Sequence, residues 1–99
     1  MTTKQDVINN FGCSDVNQIG KKQLFTAVIN NTTVLISYNT IVGYKDSRNV
    51  WHYTNKRYSI TTVKHINQHK RGHTCFTDKH FDFILALHHA GISGYLLDF

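Results

Sequence analysis

Three histidines stand at successive i, i+4 steps in the run YSITTVKHINQHKRGH, residues 58–73: His65, His69 and His73, with Cys75 close behind. Two imidazoles one helical turn apart can share a metal ion, as in zinc sites built on a helix. Gly72 works against a third ligand on that line, because glycine stops helices and His73 falls beyond it. No paired-cysteine element and no acidic ligand lies near by in sequence. A solvated basic face accounts for the same spacing, so neither a metal nor a cofactor is expected.

Catalytic groupings are equally thin. A thiol nucleophile at Cys13 or Cys75 would need an adjacent base and a third group to orient it, and the sequence brings none together. The acidic residues are scattered aspartates, and only Asp78 and Asp82 stand one helical turn apart. No glycine-rich phosphate loop occurs. His88 shares a stripe with Phe81 and Leu85, which reads as a core or groove histidine bonded to a carbonyl. The expectation is a protein that is not an enzyme.

Charge says more. Lys and Arg outnumber the acids by 11 to 6, for a net charge of +5. Such an excess on a short chain favours anionic partners: nucleic acid, a nucleotide, a membrane surface or an acidic protein. Residues 45–71 hold seven Lys or Arg against one acid, Asp46, with Tyr44, Trp51, Tyr53 and Tyr58 interleaved. Basic residues beside rings can hold phosphates while the rings stack on bases. The candidate binding set is therefore Lys45, Arg48, Trp51 and Tyr53 on a hairpin, Lys56 and Arg57 after it, and Lys64, His65, Gln68 and Arg71 on a following helix. Lys70 joins them as a phosphate contact. The competing reading is that alternating Trp and Tyr face a core while Lys and Arg point to water.

Those residues need elements to position them. TTKQDVINNFG predicts a short helix capped by Thr2 or Thr3, with Asp6 in its first turn and Gly12 as its stop. From residue 23 the apolar period becomes two. QLFTAVIN and TTVLISY flank Asn30-Asn31, which tolerates the positive φ of a tight hairpin. TIVGYK and NVWHYT flank DSRN, and KRYSI could extend a last strand. After Ile60 the period returns to 3.6, with Thr61 or Thr62 as cap and Ile60, Val63 and Ile66 on one side. TDKHFDFILALHHAG predicts another helix, capped by Thr77 or Asp78, with Phe81, Ile84, Leu85 and His88 on one face. The sum is a single α+β domain over residues 1–99: an antiparallel meander of four to five strands with about three short helices, mainly packed on one sheet face.

The N-terminus has no apolar core of the signal-peptide kind, and no run approaches the length of a membrane span. A cytoplasmic protein with reduced Cys13 and Cys75 is expected, with no membrane partner. The apolar tail ISGYLLDF and the helix before it could support a homodimer.

The segment VLISYNTIVGYKDSRNVWHYTNKRYSITTVKHINQ, residues 34–68, resembles a family of small uncharacterised proteins encoded mainly by bacteriophages and other mobile elements. The resemblance rests on Ser37, Tyr38 and Thr40 in a Ser-Tyr-x-Thr turn, then on Ser59, Thr61, Thr62 and His65 in Ser-x-Thr-Thr-x-x-His at a helix start. It implies a phage-type accessory protein in a host cytoplasm, acting by stoichiometric binding. Its partner would be a host or foreign protein, nucleic acid, or both, as for a host-defence inhibitor such as an anti-CRISPR.

Overall fold

The computed structural model describes residues 2–92. Helix α1, Lys4–Phe11, starts where Thr3 accepts a hydrogen bond from the Asp6 amide while the Asp6 carboxylate accepts one from Thr3 N–H. That reciprocal cap satisfies two otherwise orphaned donors. Gly12, at φ 58°, ends the helix in the left-handed region.

The meander follows. Strands β2 (Leu24–Ile29) and β3 (Thr32–Ser37) are joined by Asn30 and Asn31, at φ 49° and 64°. Strand β4, Thr40–Lys45, turns into β5, Trp51–Thr54, through a loop organised by Asp46. Its carboxylate accepts from the amides of Arg48 and Val50 at 2.8 and 3.0 Å.

The sheet has six strands in the order β1-β2-β3-β4-β5-β6, one more than the upper expectation. Strand β1, Ser14–Gln18, adds antiparallel to β2, and β6, Cys75–Asp78, adds parallel to β5. A parallel pair needs a crossover, and α2, Ile60–Lys70, provides it. KRYSI is a loop rather than a strand, and Ser59 caps α2 in place of Thr61 or Thr62. Thr77 and Asp78 lie in β6, so α3, His80–His89, begins after Lys79 with no side-chain cap.

Two cores sit back to back across the sheet. On one face, Val7 and Phe11 of α1 and Phe83, Ile84 and Leu87 of α3 cover Phe25, Ala27, Ile29, Val34, Ile36 and Ile41. On the other, Ile66 of α2 covers Leu24, Leu35, Val42, Trp51 and Tyr53. Two of the three helices thus share one face, and the third stands alone on the other. Tyr53 lies so close over Gly43 that a Cβ there would meet its ring at 2.9 Å; only glycine leaves the ring that room.

The four residues predicted to share a face of α3 do so, but most of that face is turned from the core. Ile84 is buried, but Phe81 and Leu85 are 68% and 44% exposed, and Phe83 and Leu87 take the core side. Phe81, Ile84, Leu85 and His88 line a cavity of ≈ 200 Å³ together, while the side turned to the sheet runs through Phe83, Ile84 and Leu87. Ile60 is likewise exposed rather than aligned with Ile66. Of the tail, Ile92 is buried; the segment from residue 93 onward, where a dimer contact was expected, lies outside the described residues.

Candidate nucleic-acid interface

Helix α2 is pinned to the sheet by a chain of hydroxyls that runs inward from the exposed Ser59 to the buried Thr62 and Ser37. Ser59 Oγ accepts from the Thr62 amide at 3.1 Å and donates to Thr62 Oγ1 at 3.1 Å. Thr62 Oγ1 lies 3.0 Å from Ser37 Oγ, which lies 3.0 Å from Nδ1 of His65. The Tyr38 ring stands over His65 at 6.0 Å. Ser37, Tyr38, Ser59, Thr62 and His65 all belong to the two halves of the quoted motif, and the fold brings them together. Burial, with the charge of Lys22 second, holds the His65 imidazole below its ordinary pKa. His65 is therefore a neutral anchor rather than an outward contact.

The next histidine on the helix is anchored too. His69 Nδ1 sits 2.6 Å from the Tyr53 hydroxyl, with its ring edge-on to Trp51 at 4.6 Å. Burial, then the neighbouring His73, lowers its pKa to about 4. His73 stacks on His69 at 4.4 Å and places Nδ1 2.6 Å from the His69 carbonyl. The three rings are thus turned to a serine, a tyrosine and a backbone carbonyl. Among the described residues no group of three or more His, Cys, Asp or Glu could hold a metal ion. Cys13 and Cys75 are free thiols.

With the inner side of α2 so occupied, its flanks carry the charge. One cavity of ≈ 390 Å³ is lined by Lys22, Gln68, His69, Arg71 and His73 over Ile19 and Leu24. Another of ≈ 340 Å³ is lined by Lys56, Arg57, Asn67 and Lys70, with Thr54, Asn55, Val63, Ile66 and Thr77. Lys70 Nζ donates to Thr77 Oγ1 at 2.8 Å and stands 5.8 Å from the centre of the Tyr53 ring. Lys64 is exposed on the same helix. Neither cavity has a carboxylate in its lining.

Two aspartates close to these strands are drawn to the opposite face. His52 bridges them, Nε2 to Asp46 Oδ2 at 2.8 Å and Nδ1 to Asp78 Oδ2 at 3.0 Å. Tyr44 stacks on His52 at 4.8 Å and itself packs on Phe83 of α3. The His52 hydrogen bond, helped by the Val50 amide, lowers the Asp46 carboxyl to about 2.

The predicted set therefore divides. Lys56, Arg57, Lys64, Gln68, Lys70 and Arg71 gather along α2. Lys45 holds its ammonium 5.8 Å from the Trp51 ring centre at the edge of that face. Arg48 pairs with Asp46 at 3.6 Å instead. Trp51 and Tyr53 are 5% and 0% exposed, so neither ring can stack on a base; the core reading of those aromatics prevails. Lys22 was missed because only the tertiary fold carries the β1–β2 turn to α2. Its ammonium meets the side-chain oxygen of Gln68. His73, taken as a metal candidate, lines the basic cavity instead.

Residues 2–83 match a family of unknown function, DUF8033. The chain belongs to the DUF8033 family. The DUF8033 match takes in the whole hydroxyl chain and the residues lining both basic cavities. No curated protein and no solved structure matches the chain. No helix among the described residues is long and apolar enough to cross a membrane.

Proposed function

We propose that this is a non-enzymatic accessory protein that binds nucleic acid by its phosphate backbone through the α2 face. The observation that carries this reading is the pair of carboxylate-free cavities flanking α2. They contribute five fixed cations, Lys22, Lys56, Arg57, Lys70 and Arg71, and Lys64 is exposed on the helix. Phosphate contacts from Lys and Arg give sequence-independent affinity driven by counterion release. Burial of Trp51 and Tyr53 favours backbone gripping over base stacking. The α2 dipole opposes anions at its C-terminal end by about half a charge, which the fixed cations outweigh.

Ser37, beside His65, is only 1% exposed, so a substrate has no path to the hydroxyl that an imidazole could activate. This supports a binding role. The resemblance to phage and mobile-element proteins suggests a setting in which the bound nucleic acid is carried by a host machine, such as a defence complex, which stoichiometric binding would block.

The test is fluorescence anisotropy at low salt with unrelated duplexes of equal length. Comparable affinity for each duplex, lost on raising salt, supports the reading. Absence of binding to every duplex and single strand contradicts it.

A further inference from the structure

We propose that the cavity between α2 and the β1–β2 turn is a site for a terminal phosphate, a phosphomonoester at a strand end or on a mononucleotide. This deepens the backbone-binding reading and rests on it for the strand-end case.

The donors converge from separate elements. Lys22 reaches in from the turn before β2, while Arg71, His69 and His73 come from the end of α2. The carboxamide oxygen of Gln68 holds the Lys22 ammonium without cancelling its charge. The Tyr53 hydroxyl, 2.6 Å from Nδ1 of His69, occupies that nitrogen and holds the ring in place. A carbonyl only accepts, so Nδ1 of His73 donates to the His69 oxygen and Nε2 is its remaining nitrogen. Each imidazole thus has its second nitrogen, Nε2, uncommitted to those bonds.

Three carbonyls of the last turn, those of Gln68, His69 and Lys70, are already engaged. Arg71 N–H donates to Gln68 O at 3.3 Å, His73 N–H to Lys70 O at 3.3 Å, and His73 Nδ1 to His69 O. Their repulsion of an anion is reduced accordingly. A terminal phosphate offers three oxygens and a charge near −2, against two free oxygens and one charge for a phosphodiester within a strand. A half-open cavity lined by donors from two elements can take the exposed terminal group, whereas a phosphodiester within a strand presents fewer free oxygens to it.

The test compares one oligonucleotide carrying 5′-phosphate, 3′-phosphate or hydroxyl ends, with nuclear magnetic resonance titration by inorganic phosphate and a nucleoside monophosphate alongside. A phosphorylated end should bind roughly tenfold tighter, as expected for one added charge-assisted bond. The ratio should collapse in Lys22→Gln/His73→Gln. Equal, salt-sensitive binding of all ends overturns the terminal-phosphate site and leaves the backbone reading intact. Binding of no oligonucleotide, with phosphate still shifting the His73 resonances saturably in the native chain alone, overturns the backbone reading and supports a site for free phosphomonoesters. No response in either arm overturns both.

Discussion

The hydroxyl of Ser37, at the end of β3, lies 3.0 Å from Nδ1 of His65 in the middle of α2. Both are buried, at 1% and 6% exposure, and Thr62 and Ser59 continue the chain to the helix cap. The relation fixes the rotation of α2 on the sheet. It thereby decides which side chains of the basic run face water.

Ser37→Ala leaves the Thr62 hydroxyl and the His65 nitrogen buried without their shared partner. A buried polar group so abandoned costs about 1–3 kcal/mol. Urea unfolding should show that loss, and duplex affinity of the folded variant should fall as α2 loses its fixed rotation. An undiminished midpoint would show that the chain contributes no net stability.

Trp51 is the only tryptophan and is 5% exposed. Its fluorescence should resist acrylamide and lack the strong quenching of a ring stacked on a base when oligonucleotide is added. Trp51→Ala should cost about 3–5 kcal/mol, as for other large core truncations. Strong quenching by single strands would revive the stacking role.

Asp46 has its carboxyl lowered from 3.8 to about 2 by His52 and the turn amides. A carboxylate depressed on folding contributes stability that is complete above its unfolded pKa and lost as pH falls through its folded one. The difference in melting temperature between the native chain and Asp46→Asn should therefore be constant above pH 4 and shrink toward pH 2. A difference that stays unchanged to pH 2 would remove the Asp46–His52 bond from the account.

His69 gives the opposite chemistry and the same direction. Its folded pKa of about 4 lies below the ordinary 6.5, so between those values the unfolded chain binds a proton that the folded chain refuses. Stability should fall as pH drops across that window and level off below it. His69→Gln should flatten that part of the curve, and resonance titration of His69 should place its midpoint near 4.

Local chemistry made much of the fold legible. The Thr3–Asp6 cap, the Asn30-Asn31 hairpin and the period-two strands each carry their own signal. Strand β1 does not, since SDVNQ offers one buried apolar residue, Val16, and gains its place by pairing with β2. Strand β6 was hidden because Thr77 and Asp78 look like helix caps, while their strand state depends on β5 alongside. At the site, the basic residues of α2 could be read from sequence and the burial of His65, Trp51 and Tyr53 could not. That burial follows from α2 lying alone on one sheet face.

The central claim is most directly tested by the salt dependence of duplex binding in matched charge reversals. Lys64→Glu/Arg71→Glu alters the α2 face, while Lys4→Glu/Lys79→Glu makes the same change in net charge at exposed positions on α1 and ahead of α3. For five to six phosphate contacts, log K against log salt should slope at about −4.5 to −5.5 in the native chain. The α2 pair should weaken binding steeply and reduce the slope by about 2, and the control pair should leave the slope unchanged. Equal losses from both pairs, or none from either, would contradict a phosphate grip on α2.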